Sequence, residues 1–267
     1  MVGISVTTIA GYAGLRRPVL RPGLHVVRRD DRHLQLGLDP PDRLVLPDSP
    51  GLLEALRSLP PRPVAALLPV LDRLVADGWV VDADVRAAAE RARVTARPPV
   101  AADADPALAE TLARACVAAG LRVLDRPAST EPRLVVTVGE PRRSVSDALV
   151  RDDVPHLYVA VLTGAVRIGP FVEPGRTPCL RCVDAHLGEP DPRRATVLHQ
   201  LERLPTPPVA WDTGLAQLGC AWAARDAVRR QDGALPALRA ATVTVTADLA
   251  VTRETWLRHA HCGCAWG

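Results

Sequence analysis

The sequence predicts an α/β protein in two parts: an N-terminal winged-helix domain over residues 23–83 and a larger α/β domain over residues 98–267. Three observations predict it. Short strands, two helical stretches and a closing strand all fall within about 60 residues. From Pro98 onward, strand, helix and strand patterns alternate, as in a mainly parallel sheet. Four of the six cysteines form two tight pairs near the far end of the chain. A length of 267 residues suits about two domains at roughly 100–200 residues each.

Residues 1–22 read as a loose lead-in. Leu24–Val27 and His33–Leu38 flank the polar turn Arg29-Asp30-Asp31-Arg32 and read as a hairpin. Arg43, Leu44, Val45 and Leu46 form a third short strand, ended by Pro47. Ser49 is placed to cap a helix carrying Leu52, Leu53, Leu56 and Leu59, which Pro60-Pro61 stops. A second helix repeats Val64, Leu67, Leu68, Leu71, Leu74 and Val75 at helical spacing, with Gly78 at the left-handed C-terminal position. Trp79–Val81 closes the domain as a strand. Residues 84–97 suit a linker that begins helical.

In the second part, a helix is predicted over Pro106–Gly120, and strands over Leu121–Leu124, Leu134–Val138 and Leu157–Val161. A hairpin-like return follows over Gly164–Ile168, then a loop over Gly169–Cys182. A helix capped by Asp212 or Thr213 carries Leu215, Leu218, Ala221, Trp222 and Val228. Ala241–Ala247 and Leu249–Thr255 alternate as strands.

Composition narrows the chemistry. The chain has no lysine and no asparagine, so all 33 basic residues are arginine. A Walker-type phosphate loop and a Schiff-base enzyme both need lysine, and both are excluded. A net charge of +3, with scattered arginine pairs followed by acids, suits a solvated surface and not a nucleic-acid stripe. A zinc-bearing DNA regulator would need a basic recognition helix, yet Arg73 stands against Asp72 and Asp77. No apolar run is long enough to span a membrane, and no signal peptide is recognisable, so a cytoplasmic protein is expected.

Cys179-Leu-Arg-Cys182 and Cys262-Gly-Cys264 offer four thiolates, the donor set of a closed tetrahedral zinc site. Such a site is structural, because no coordination position stays open. A redox pair is an alternative, but it wants a CxxC that opens a helix after a strand, and Pro178 precedes this one. Four unconnected cysteines remain a further alternative, and His259 or His261 could replace a thiolate. Cys116 and Cys220 lie on apolar helical faces and read as core thiols.

The run from Val166 to His186, VRIGPFVEPGRTPCLRCVDAH, together with Trp256-x-x-His259-x-x-Cys262-x-Cys264, resembles the ThiF-like leader-peptide-binding proteins of thiazole/oxazole-modified microcin (bacteriocin cyclodehydratase) biosynthesis. The likeness covers roughly residues 23–267. Ala260 departs from it, since the family usually has proline there. The resemblance implies that the front domain is a winged-helix recognition element that binds the leader of a ribosomally made precursor peptide as an added strand. It implies that the rear domain is a degenerate ubiquitin-activating-like domain that docks a YcaO-type cyclodehydratase and is itself no enzyme. A homodimer stays open as a further association.

The residues agree with lost catalysis. A phosphate-gripping turn needs glycine at a helix N-terminus. The equivalent stretch, Val100-Ala-Ala-Asp-Ala-Asp-Pro106, has none and carries two aspartates. Structural Zn²⁺ is therefore expected and ATP is not. The rival function is an active ThiF-like adenylating enzyme. The candidate peptide edge is Arg43, Leu44, Val45 and Leu46, and the facing helix contributes Leu67, Leu71, Leu74 and Val75. Arg43 and Arg73 would stand at the rim for acidic leader residues.

Overall fold

The computed structural model describes residues 11–124, 131–204 and 210–264. The first ten residues of the expected lead-in and the last three of the rear domain therefore lie outside the described residues. The chain divides into two compact units, Met1–Arg93 and Val94–Gly267, and the division falls inside the expected linker.

In the first unit, β2 (Val26–Arg28), β3 (His33–Leu36) and β4 (Leu44–Pro47) form an antiparallel sheet in the order β2-β3-β4. Helix α1 (Leu52–Arg57), a short 3₁₀ turn (Leu68–Val70) and α2 (Leu71–Ala76) follow. The closing strand β5 (Val80–Asp82) pairs antiparallel with β1 (Pro18–Leu20). Part of the expected lead-in is thus a strand, and Tyr12 before it is fully buried in the unit's core. Three residues starting with proline are too short to show alternation. Asp82 fixes this junction: its carboxylate accepts the Arg16 and Arg17 amides and, on the other side, the amides of Asp84 and Val85. Those last two bonds open helix α3 (Ala83–Ala96).

Ser49 does not cap α1. Gly51 does, at φ +79°, a left-handed conformation open to glycine. Gly78 at φ +69° ends α2 as expected.

The second unit is a seven-stranded sheet in the order β12-β11-β10-β9-β8-β6-β7. Its strands are β6 (Val100–Ala104), β7 (Val123–Leu124), β8 (Arg133–Val138), β9 (His156–Leu162), β10 (Ala165–Val172), β11 (Ala241–Thr246) and β12 (Val251–Thr255). β7, β6, β8 and β9 run parallel, while β10, β11 and β12 turn back antiparallel. On one face, α4 (Ala109–Ala118) and α8 (Thr213–Gln231) bury Leu112, Cys116, Cys220 and Ala223 against Leu134, Val136, Val159 and Val166. Gly219 permits the close approach: a Cβ there would sit 2.6 Å from a Val166 methyl and 2.9 Å from one of Val159. Asp212 caps α8, accepting the Leu215 amide at 3.0 Å.

On the other face lie α5 (Arg143–Arg151) and α6 (Leu180–Gly188), over Val135, Tyr158 and Val172. α7 (Arg194–Leu201) packs on α6. These helices correct the sequence reading. The stretch expected as a loop continues β10 to Val172 and opens α6 at Leu180.

Candidate functional site

The four predicted ligands come together. Strand β10 and the turn after it deliver Cys179 to the first position before α6, and one helical turn brings Cys182 alongside. Thr177 holds that turn: its hydroxyl accepts the Glu173 amide at 2.7 Å. The second pair arrives after β12, where the Trp256 amide donates to Ala240 O and its indole N–H to Thr242 Oγ1. Gly263, at φ +78°, turns the backbone between Cys262 and Cys264.

The Sγ atoms lie 3.9 Å apart for Cys179–Cys182, 3.4 Å for Cys179–Cys262 and 3.4 Å for Cys182–Cys264, and all four fall within 4.8 Å of one another. Zinc–sulfur bonds of about 2.3 Å in a tetrahedron imply sulfur–sulfur separations of about 3.8 Å. A disulfide would need about 2.05 Å, and all four thiols are free. Hydrogen bonds from the Cys179 and Cys262 thiols hold Cys182 well below the usual thiol range, whereas Cys179 is pushed up by donating to it. The donor set fits one four-sulfur zinc ion, with Cys179 and Cys182 buried and Cys262 and Cys264 half-buried.

The CxxC does open a helix after a strand, contrary to the local geometry expected of it. The juxtaposition of the second pair, not the position of Pro178, is what favours metal over redox exchange. Cys116 and Cys220 are fully buried, and burial pushes their thiols up to about 11 and about 12, so neither is a nucleophile.

Sequence reasoning missed two features beside the cysteines. His186, Glu189 and His259 form a second group within 4.8 Å. Within it, His186 Nε2 lies 3.0 Å from Leu257 O and His259 Nε2 lies 3.2 Å from Glu189, so both rings brace the C-terminal turn. The second feature is a buried ion cluster. Arg143 Nε and Nη2 each donate to Asp184 at 2.8 Å, Arg194 reaches the same carboxylate at 3.2 Å, and Arg143 Nη1 donates to Glu140 at 3.1 Å. Arg167 also donates to Glu140. The cluster ties the cysteine-bearing helix α6 to the end of β8.

Because β6 is flanked by β7 on one side and β8 on the other, the crevice where a doubly wound sheet binds nucleotides opens between the C-terminal ends of β6 and β8. Asp103 and Asp105 stand at the end of β6. Asp105 shapes the turn just before α4: its carboxylate accepts the Ala107 amide at 3.1 Å and its carbonyl the Leu108 amide at 2.8 Å.

In the first unit, the candidate peptide residues separate by exposure. Leu44, Leu46, Leu67, Leu71 and Leu74 belong to the buried core. Arg43 and Arg73 are exposed, and Val45 and Val75 are half-buried. The Asp48 amide donates to Arg32 O, which sets the β3–β4 alternation. Arg43, Val45 and Pro47 consequently present their main chains to the free side of β4, and Pro47 has no N–H to offer.

The fold and the thiol cluster define a class: an α/β unit of nucleotide-binding topology that carries a candidate four-cysteine metal centre in place of a glycine-rich phosphate grip. No protein-family model and no curated protein sequence matches the chain. Among solved structures, the heterocyclase TruD aligns over 93% of this chain with a TM-score of 0.66 and 19% identity. The chain spans only 42% of that structure's length. A heterocyclase in complex with substrate and cofactor gives a TM-score of 0.65 at 18% identity, over 93% of this chain and 39% of that one. E. coli MccB bound to MccA-N7isoASN aligns over 94% of this chain and 99% of its own, with a TM-score of 0.57 and 11% identity. At these identities the likeness is one of fold.

Proposed function

We propose that this protein binds the leader segment of a ribosomally made precursor peptide through its N-terminal unit, read here as a winged-helix recognition element. It then presents the peptide to a YcaO-type cyclodehydratase for azoline or azole formation. The observation that carries this reading is the likeness to the heterocyclases over 93% of the chain, both units included. The MccB structures, solved with forms of MccA, and a heterocyclase solved with its substrate support a role in binding another molecule.

The chain's role in this reading is to hold, not to react. An adenylating site needs amide groups at a helix N-terminus free to receive phosphate. Here the segment before α4 carries Asp103 and Asp105, whose negative charge opposes a phosphate. The zinc, held by Cys179, Cys182, Cys262 and Cys264, supplies rigidity and no open position.

The rival reading is an active ATP-dependent adenylating enzyme. It draws on the likeness to MccB with ATP, at a TM-score of 0.57 and 11% identity. Two measurements on the full, zinc-loaded chain decide. A fluorescent leader peptide from the cognate precursor should bind with a micromolar or better Kd, and no binding by folded protein would overturn leader recognition. ATP–pyrophosphate exchange by the pure chain should stay at background, and exchange above it would overturn the non-catalytic role.

A further inference from the structure

A second set of metal-ligating side chains lies beside the four cysteines and is separate from them. His186 stands one helical turn beyond Cys182 on α6, and Glu189 follows where that helix ends, so the two share one side of it. His259 comes from the turn after β12, just ahead of Cys262. The thiol cluster therefore fixes both walls of this second group. One donor atom from each of His186, Glu189 and His259 falls within 4.8 Å of the others.

The way each ring is held points to a ligand. A carbonyl only accepts, so the His186 proton sits on Nε2, 3.0 Å from Leu257 O, and Nδ1 keeps its lone pair. Metal-binding imidazoles are oriented in this way, with the other nitrogen donating to a carbonyl or carboxylate. The Trp256 indole lies beside the same ring, 6.1 Å between centroids. His259 Nε2 lies 3.2 Å from Glu189 Oε1. Two donors about 2.0–2.2 Å from one tetrahedral zinc are themselves about 3.3 Å apart. An ion between them replaces the shared proton, which passes to His259 Nδ1, and the 3.2 Å contact of that nitrogen with the His261 amide is given up. The group also opens outward. Glu189, His259 and His261 line a groove of about 510 Å³, and the Glu189 side chain is 67% exposed, so an ion can enter from solvent.

We infer that His186, Glu189 and His259 bind a second divalent transition-metal ion, distinct from the four-sulfur zinc and exchangeable with solvent. Two imidazoles and one carboxylate suit zinc, cobalt or nickel and disfavour calcium and magnesium, which prefer all-oxygen sets. Three protein ligands leave a fourth coordination position for water. The inference does not depend on the peptide-binding reading above. It makes the four-sulfur centre a scaffold that holds the walls of an open site.

The test titrates cobalt(II) into the full chain already holding one zinc in its thiolate centre. Calorimetry should show one further equivalent bound per chain with a micromolar Kd. The bound cobalt should give the weak visible bands of nitrogen and oxygen coordination, with no sulfur-to-cobalt charge-transfer band. Brief EDTA treatment should remove it and leave the zinc. Glu189→Ala, at an exposed position that folding does not need, should weaken cobalt binding at least tenfold, and so should His186→Gln. Both variants should keep the thiolate zinc. His199→Ala, at an exposed histidine outside the group, should bind cobalt as the parent does. Absence of a second equivalent, a charge-transfer band on the bound cobalt, or unchanged affinity in Glu189→Ala and His186→Gln would each overturn the inference.

Discussion

Replacing Cys264 with serine removes one of four sulfurs and opens a covalent-like tie between segments far apart in sequence. The bridged residues Cys182 and Cys264 are 82 positions apart. Treating the zinc as a cross-link, the chain-entropy relation for a closed loop of that length gives about 4.5 kcal/mol at 25 °C. A unit of this size shifts about 2–4 °C in Tm per kcal/mol, so Cys264→Ser should lower the melting temperature by about 9–18 °C. Calorimetry and metal analysis by mass spectrometry check this together. The parent should carry one zinc per chain, and Cys264→Ser far less than one. Cys220→Ala, at a buried thiol remote from the cluster, should keep its metal. A serine variant with a full zinc equivalent and an unshifted Tm would refute the cross-link, as would a parent purified without zinc.

Two further outcomes follow from the core of the second unit. Gly219→Ala should destabilise it by up to about 2 kcal/mol, because overpacking against Val159 and Val166 costs about 1–3 kcal/mol and the better helix former returns about 1 kcal/mol; an equal or higher midpoint in urea would show that α8 has room to retreat. His156 is fully buried, its Nδ1–H donating to Val154 O at 2.7 Å, and burial holds its pKa down at about 4, against 6.5 for the free ring. Its contribution is therefore present above pH 6.5, lost as pH falls from 6.5 to 4, and worth about 3 kcal/mol in full. His156→Gln should flatten the fall in urea midpoint between pH 7.5 and pH 4.5, and an unchanged slope would remove His156 as its source.

Where side-chain pattern and burial coincide, the sequence was readable. The strands from Leu134, Leu157 and Ala241, the Asp212 cap and the Gly78 turn all follow local rules that tertiary contacts reinforce. The thiol cluster was readable because only a few side chains bind zinc, and two close pairs leave few ways to arrange them. Helix α5 was not readable, since its buried face is Arg143, Ser146 and Leu149. Two of those three are polar, and Arg143 is buried only because Asp184, 41 residues on, neutralises it. No window of sequence shows that pairing. β1 escaped for a similar reason: its partner is β5, with Val19 opposite Val81, 62 residues later, and not a neighbouring strand. Amphipathic spacing located the leucines of the first unit but could not say which edge is free, because core and groove residues share one periodicity.

The spacing of the sulfurs also sets an order of events during synthesis. At about 5–20 residues per second, the ribosome makes Cys179 and Cys182 some 4–16 seconds before their partners, which lie 83 and 82 positions later. Through that interval the nascent helix α6 carries two thiols without their partner pair. The turn that carries Cys262 and Cys264 is what retires them from oxidation and from stray metals.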